Sequence, residues 1–269
     1  MSVSNIFELG ELFEQVQVRR IFPDGKTFVD CIAKEDLSVI RNRYESEKNN
    51  PGFDLAAFVH QHFVMPGAVS ARYESDPDES LEDHLKKLWP VLTRKPQAPK
   101  NDSLIPLPHD YIVPGGRFRE IYYWDSFFTM LGLQVSNRIG LIENMVDNFS
   151  YLIDHIGYVP NGNRRYFIGR SQPPFFACMV QLLSEEKGKD ILVKYLPQLQ
   201  KEHGFWMKGK DKLSGNPITV NRVARMDADS ILNRYWDEND TPRPESYRED
   251  IELAAGQNDK GKMYRHVRA

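Results

Sequence analysis

Apolar positions along this chain recur mostly every three or four residues, the period of a helix that buries one face. Ile6, Leu9, Leu12, Phe13 and Val16 share such a face and predict a first helix. Asp36 is placed to cap a helix through about Lys48. The Asn49-Asn50-Pro51-Gly52 run breaks it, and Asp54 caps another helix to about Val64. Ser80 opens a helix in which Leu81, Leu85, Leu88 and Leu92 repeat, before Pro96 and Pro99 start a long connection from about 95 to 121. A loop of that length is costly to order, which marks it as a functional segment.

From about Tyr123 to Gln134 the chain is densely apolar. Leu141, Met145, Val146, Phe149, Leu152, Ile153 and Ile156 then form one amphipathic stripe, so the two segments predict a helical hairpin. A second hairpin follows the loop from Gly157 to Gln172, with an apolar helix from about Pro173 to Leu183 and a charged one from about Asp190 to His203. An all-apolar helix must be covered by a partner with one polar face, so this alternation predicts two concentric layers, as in an α/α toroid. Between Pro217 and Trp236, Ile218-Thr219-Val220 and Ile231-Leu232-Asn233-Arg234-Tyr235 flank the turn-like Asp227-Ala228-Asp229 and predict a β-hairpin on one rim. Pro244 starts a helix to about Ala255, and a last short helix begins near Lys260. The expected fold class is all-α, with residues 1–79 a helical arm and 80–269 the first part of the toroid. No repeat of 20 to 50 residues supports a regular solenoid.

Composition agrees with a folded core: 41% of the 269 residues are hydrophobic and 12% aromatic. The 35 basic and 38 acidic residues are mixed along the chain with a net charge of -3 and no Lys/Arg block, which excludes nucleic acid as an expected partner. Met1 to Phe13 has neither a basic start nor an apolar run of signal-peptide length, and no stretch approaches the roughly 18 apolar residues of a membrane span. The expectation is a cytoplasmic protein without membrane contact. Cys31 and Cys178 lack metal-ligand spacing and fit free thiols in a reducing compartment.

The chemistry concentrates in Pro114-Gly115-Gly116-Arg117-Phe118-Arg119-Glu120-Ile121-Tyr122-Tyr123-Trp124-Asp125-Ser126-Phe127, which holds two arginines, two acids and five aromatics. A hexose offers apolar C–H faces for aromatic rings and a rim of hydroxyls for charged or amide partners, so this mixture suits a sugar site. On chemistry alone, a well-packed turn with Arg/Glu ion pairs is the readier explanation of the segment, since aromatic-rich turns are commonly structural.

This segment resembles the first signature of the α,α-trehalase family, Pro-Gly-Gly-Arg-Phe-x-Glu-x-Tyr-x-Trp-Asp-x-Tyr, with Phe127 in place of the last Tyr. Further stretches share the resemblance: Ile21-Phe22-Pro23-Asp24-Gly25-Lys26-Thr27-Phe28-Val29-Asp30, Leu88-Trp89-Pro90-Val91-Leu92-Thr93-Arg94 and Leu232-Asn233-Arg234-Tyr235-Trp236-Asp237. It covers nearly the whole chain from about Leu9. The resemblance implies an (α/α)6 toroid of six hairpins and the hydrolysis of α,α-trehalose to two glucose molecules by inverting acid/base chemistry, with no metal or other cofactor. It implies substrate contacts from Arg117, Trp124, Asp125, Asn161, Arg170, Ser171, Gln172, Arg243, Pro244 and Glu245.

In that family the acid is an Asp in a Gly-Trp-Asp stretch shortly after the helix that here begins at Lys260, and the base is a later Glu. Neither has a counterpart before Ala269, and the second signature, Gln-Trp-Asp-x-Pro, is absent as well. No catalytic residue is therefore expected among residues 1–269, and Trp124-Asp125 and Trp236-Asp237 belong to other family segments. The expectation is a chain inactive alone on trehalose and prone to self-associate through the exposed face of a half toroid. A non-catalytic sugar-binding or remnant fragment, and a helical interaction module, stay open as alternatives.

Overall fold

The computed structural model describes residues 3–67, 73–213, 218–227 and 229–268. Pro217 and Ala228, on which the expected rim hairpin partly rested, lie outside them. The first helix is broken where the spacing predicts continuity: a 3-10 turn over Ile6–Glu8 precedes α1 (Glu11–Val18), and Gly10 between them has φ 63°. Only a residue without a Cβ adopts that backbone readily. Ile6, Leu9, Leu12, Phe13 and Val16 are nonetheless all buried, so the periodicity gave the buried face although not the element.

Side-chain caps start the next helices. Asp24 accepts the amides of Lys26 and Thr27 at 2.9 Å and begins α2 (Gly25–Val29), a short helix the periodicity does not show. β1 (Ile32–Ala33) follows, then α3 (Leu37–Glu47) behind Asp36 and α4 (Leu55–His62) behind Asp54, as expected. Each such cap contributes about 1 kcal/mol. β2 (Phe63–Val64) pairs antiparallel with β1. Phe28, Ile40, Val59 and Phe63 centre this core, which also takes in Tyr166, Phe167 and Tyr247 from later in the chain.

A second core lies among the helical hairpins. Ser80 caps α5 (Leu81–Leu92), and β3 (Thr93–Arg94) pairs with β4 (Tyr111–Ile112). Two buried amides pin the long connection between these strands: Asn148 accepts from the His109 amide and donates to its carbonyl, both at 3.0 Å, while Asn163 donates to the Ile105 carbonyl at 2.9 Å. The first hairpin is α6 (Tyr123–Val135) and α7 (Ile139–Ile156). The second begins with α8 (Phe176–Lys187), but its expected charged helix is two, α9 (Asp190–Lys194) and α10 (Leu196–Met207), with Pro197 in the first turn of α10. α6 packs on α7 and α8, and α7 packs on α8 and α10. α6 is not buried on all sides as its apolar run predicts: Trp124, Phe128, Leu131 and Val135 are exposed along one face.

β5 (Thr219–Val220), β6 (Val223–Arg225) and β7 (Ile231–Asn233) form a three-stranded antiparallel sheet, one strand more than the expected hairpin. Asp227 accepts the amides of Asp229 and Ser230 at its second turn. A 3-10 turn over Pro244–Ser246 leads into α11 (Tyr247–Ala254), and α12 (Lys260–Arg268) follows. The chain is thus mostly helical with small antiparallel sheets. Among the described residues no helix is long and apolar enough to cross a membrane.

Candidate functional site

Asn161, Arg170, Arg243 and Glu245 meet around one cavity of about 330 Å³, with Phe167, Tyr235, Val267 and Arg268 completing its wall. Arg170 is buried, ion-paired to Glu245 Oε1, and its guanidinium lies 5.4 Å from the centroid of the Phe167 ring. Three buried polar atoms of the residues in this wall have no hydrogen-bond partner among the described residues: Asn161 Oδ1, Arg170 Nε and Glu245 Oε2. Leaving a polar atom buried and unpaired costs about 1–3 kcal/mol. Two of these atoms accept hydrogen bonds and one donates, and all three belong to residues that line the cavity, a set able to complement hydroxyl groups that both donate and accept. Burial raises the Tyr235 phenol above its ordinary range, with Arg170 opposing and Asp125 reinforcing, so both charges act on the cavity wall.

The other residues implied by the resemblance occupy different places. The Trp124 amide donates to Gln172 Oε1 at 3.2 Å, which ties the start of α6 to the 170–172 segment. The Trp124 ring is 40% exposed and packs against Phe128 and Phe175, while Asp125 is exposed beside it. Arg117 is exposed with its guanidinium 5.2 Å from the Phe118 ring centroid, and does not line the cavity. A run of ring contacts, Phe118 on Tyr122 and Tyr122 on Phe167, connects it to the wall. Ser171 is buried and donates to the Gln172 carbonyl at 3.1 Å. The Pro244 carbonyl accepts from Gln17 at 3.3 Å, so α1 helps to hold the 243–245 turn. Asp250, fully buried, grips Arg243 through both its amide at 2.8 Å and its guanidinium at 2.5 Å.

Local backbone contacts explain how Asn161 reaches this position. Its carbonyl accepts the Tyr123 amide at 3.0 Å, and the Ile121 amide donates to Asn163 Oδ1 at 2.9 Å. Between them, a Cβ on Gly162 would sit 2.5 Å from the Ile121 carbonyl oxygen, so only glycine permits this approach.

Periodicity and motif reading missed the charged support beneath the signature segment. Lys26, Asp30, Glu120 and Arg164 are all buried: Lys26 pairs with Asp30 and, at 2.8 Å, with Glu120, and Arg164 Nε lies 3.2 Å from Glu120 and 3.4 Å from Asp30. Burial pushes the Glu120 carboxyl up, but Lys26 and Arg164 outweigh it and hold the group below its usual range. In Asp30 burial prevails and the direction is upward. Tyr122 and Tyr166 donate their hydroxyls to Glu120 and Asp30. The competing expectation of Arg/Glu pairs within the segment is met only through residues outside it: Glu120 pairs with Lys26 and Arg164, and Arg119 stands 3.8 Å from Asp30. Lys26 and Asp30 stand four apart, a spacing that normally reads as an exposed helical pair, which is why the sequence concealed them. Asp237 is also committed: it accepts from Arg268 at 2.5 Å and from Asn239 at 2.8 and 2.9 Å.

Residues 20–269 match the family model described as Trehalase. The chain is 49% identical over 264 residues to a periplasmic trehalase of Citrobacter koseri and 50% identical over 264 residues to a putative periplasmic trehalase of Salmonella typhi, covering 97% of this chain and 46% of each relative. It therefore spans just under half the length of these relatives. Among solved structures, neutral trehalase Nth1 from Saccharomyces cerevisiae is 28% identical with a TM-score of 0.40, over 59% of this chain and 29% of that one. The relatives' names overturn the cytoplasmic expectation. That expectation rested on the opening residues and on two thiols, and an unpaired thiol such as the buried Cys31 reports no compartment. With a match over residues 20–269 and half of all positions shared with named relatives, the chain belongs to the trehalase family.

Proposed function

We propose that residues 1–269 supply the sugar-gripping part of a site that hydrolyses α,α-trehalose, acting in the periplasm as its relatives' names say of them. The observation that carries this reading is that Asn161, Arg170 and Glu245, each with a buried polar atom unpartnered among the described residues, line one cavity together with the rings of Phe167 and Tyr235. A glucose ring seated there would offer hydroxyls to these three side chains, which turn slightly to meet it, and lay a C–H face on Phe167 or Tyr235. In family members this grip orients the bridging oxygen between an acid and a base roughly 6.5 to 9.5 Å apart, the separation that admits the attacking water. By the resemblance those two groups lie outside residues 1–269, so this polypeptide binds trehalose without splitting it. The exposed α6 face of Trp124, Phe128, Leu131 and Val135 drives self-association at high concentration.

Calorimetric titration with trehalose tests the reading, with glucose release assayed on the same samples. Saturable binding is expected, weakened about tenfold by Asn161→Ala, which removes an Oδ1 that has no partner among the described residues. Absence of saturable heat, or binding indifferent to Asn161→Ala and Arg170→Lys, overturns it.

A further inference from the structure

A second cavity of about 390 Å³ shares no lining residue with the first, and its walls carry an uncompensated positive charge. Four cations, Arg94, Lys100, Arg119 and Arg164, face two carboxylates, Asp30 and Asp102. Asp30 is already engaged by Lys26, Arg164 and Tyr166. Asp102 accepts the Leu104 amide at 3.1 Å. Arg94 has no carboxylate within ion-pairing distance among the described residues. Its hydrogen bonds go to the Val91 and Thr93 carbonyls at 3.0 and 2.8 Å, and partial burial holds its guanidinium below the ordinary range. Among the described residues Lys100 reaches only the Gln97 amide oxygen, at 3.2 Å, and Arg119 donates to the Gly67 carbonyl at 2.6 Å while standing 3.8 Å from Asp30.

We infer that this cavity is an anion site for a phosphoryl group, held by Arg94, Lys100 and Arg119. A tetrahedral dianion accepts hydrogen bonds from several directions at once and neutralises two charges, whereas a carboxylate would satisfy one side and half of the excess. The cavity has room for more than the phosphoryl group, and free phosphate and a sugar phosphate share the recognised chemistry.

The test is calorimetric titration of the full chain with inorganic phosphate at constant ionic strength, with glucose 6-phosphate and acetate as parallel titrants. Saturable phosphate binding is expected, with acetate at least tenfold weaker, and with Lys100→Gln and Arg94→Gln each weakening phosphate about tenfold. Lys100 is exposed, so its variant folds even if loss of the Arg94 carbonyl bonds disturbs the other. Tighter binding of glucose 6-phosphate assigns the site to phosphomonoesters, and equal or weaker binding assigns it to free phosphate. No saturable heat up to about 20 mM phosphate, or affinities unchanged in both variants, overturns the proposal.

Discussion

Glu202 offers a quantitative probe of how the site's helices are fixed. It is buried on α10, where Tyr123 donates its hydroxyl to Glu202 Oε1 at 2.5 Å and accepts the Phe176 amide at 2.9 Å. One carboxyl thereby ties together the starts of α6 and α8, next to Trp124 and Gln172. Burial pushes its pKa up to about 7 from an ordinary 4.5, against the opposing effect of the Tyr123 hydrogen bond. Folding then favours the protonated carboxyl. Its contribution to stability is complete below about pH 4.5 and is lost as the pH rises through about 7, because the folded state must release the proton and bury a charge. At about 1.4 kcal/mol per pH unit the loss approaches 3 kcal/mol. Glu202→Gln removes the titration, and any fixed cost of the new amide cancels when only the pH dependence of the difference is read. Urea midpoints of both proteins between pH 4.5 and 8 should show the wild type losing about 3 kcal/mol relative to the variant, equivalent to a melting shift of several degrees. A difference that stays flat across this range, or that rises with pH, would refute the burial account of Glu202.

Other perturbations test the supports around the cavity. Gly162→Ala should destabilise the protein by about 1–3 kcal/mol in urea denaturation and weaken trehalose binding, because the new Cβ displaces the Ile121 carbonyl and with it the Asn161 loop. Glu120→Gln should cost about 3 kcal/mol or more by the same assay, since Lys26 and Arg164 lose a buried counter-charge. Under native conditions an alkylating reagent should label the exposed Cys178 and spare Cys31, whose thiol is buried and pushed up to about 12. Mass spectrometry showing two modified thiols would contradict that placement.

Much of the helical frame is legible in the sequence because its signals are local. Asp36, Asp54 and Ser80 cap the helices expected of them, and the stripe from Leu141 to Ile156 is the buried face of α7. The departures come from single residues or distant pairing. Gly10 turns the backbone within an otherwise helical spacing, and the break at Tyr195 divides one expected helix into two. The two-residue strands at Ile32–Ala33 and Thr93–Arg94 are too short to alternate, and their partners lie far along the chain. At the cavity, Asn161, Arg170, Arg243 and Glu245 are reached as substrate contacts through the family resemblance, whereas Phe167, Tyr235 and Arg268 are not, although Tyr235 falls in a stretch that shares the resemblance. They stand outside its binding triplets and join the wall only through tertiary folding.

A crystal structure of the protein with trehalose tests the central claim most directly. Hydroxyls of one glucose ring are expected within hydrogen-bonding distance of Asn161 Oδ1, Arg170 Nε and Glu245 Oε2, with a ring face against Phe167 or Tyr235. Density for the sugar elsewhere, with those three atoms still unpaired, would contradict the claim.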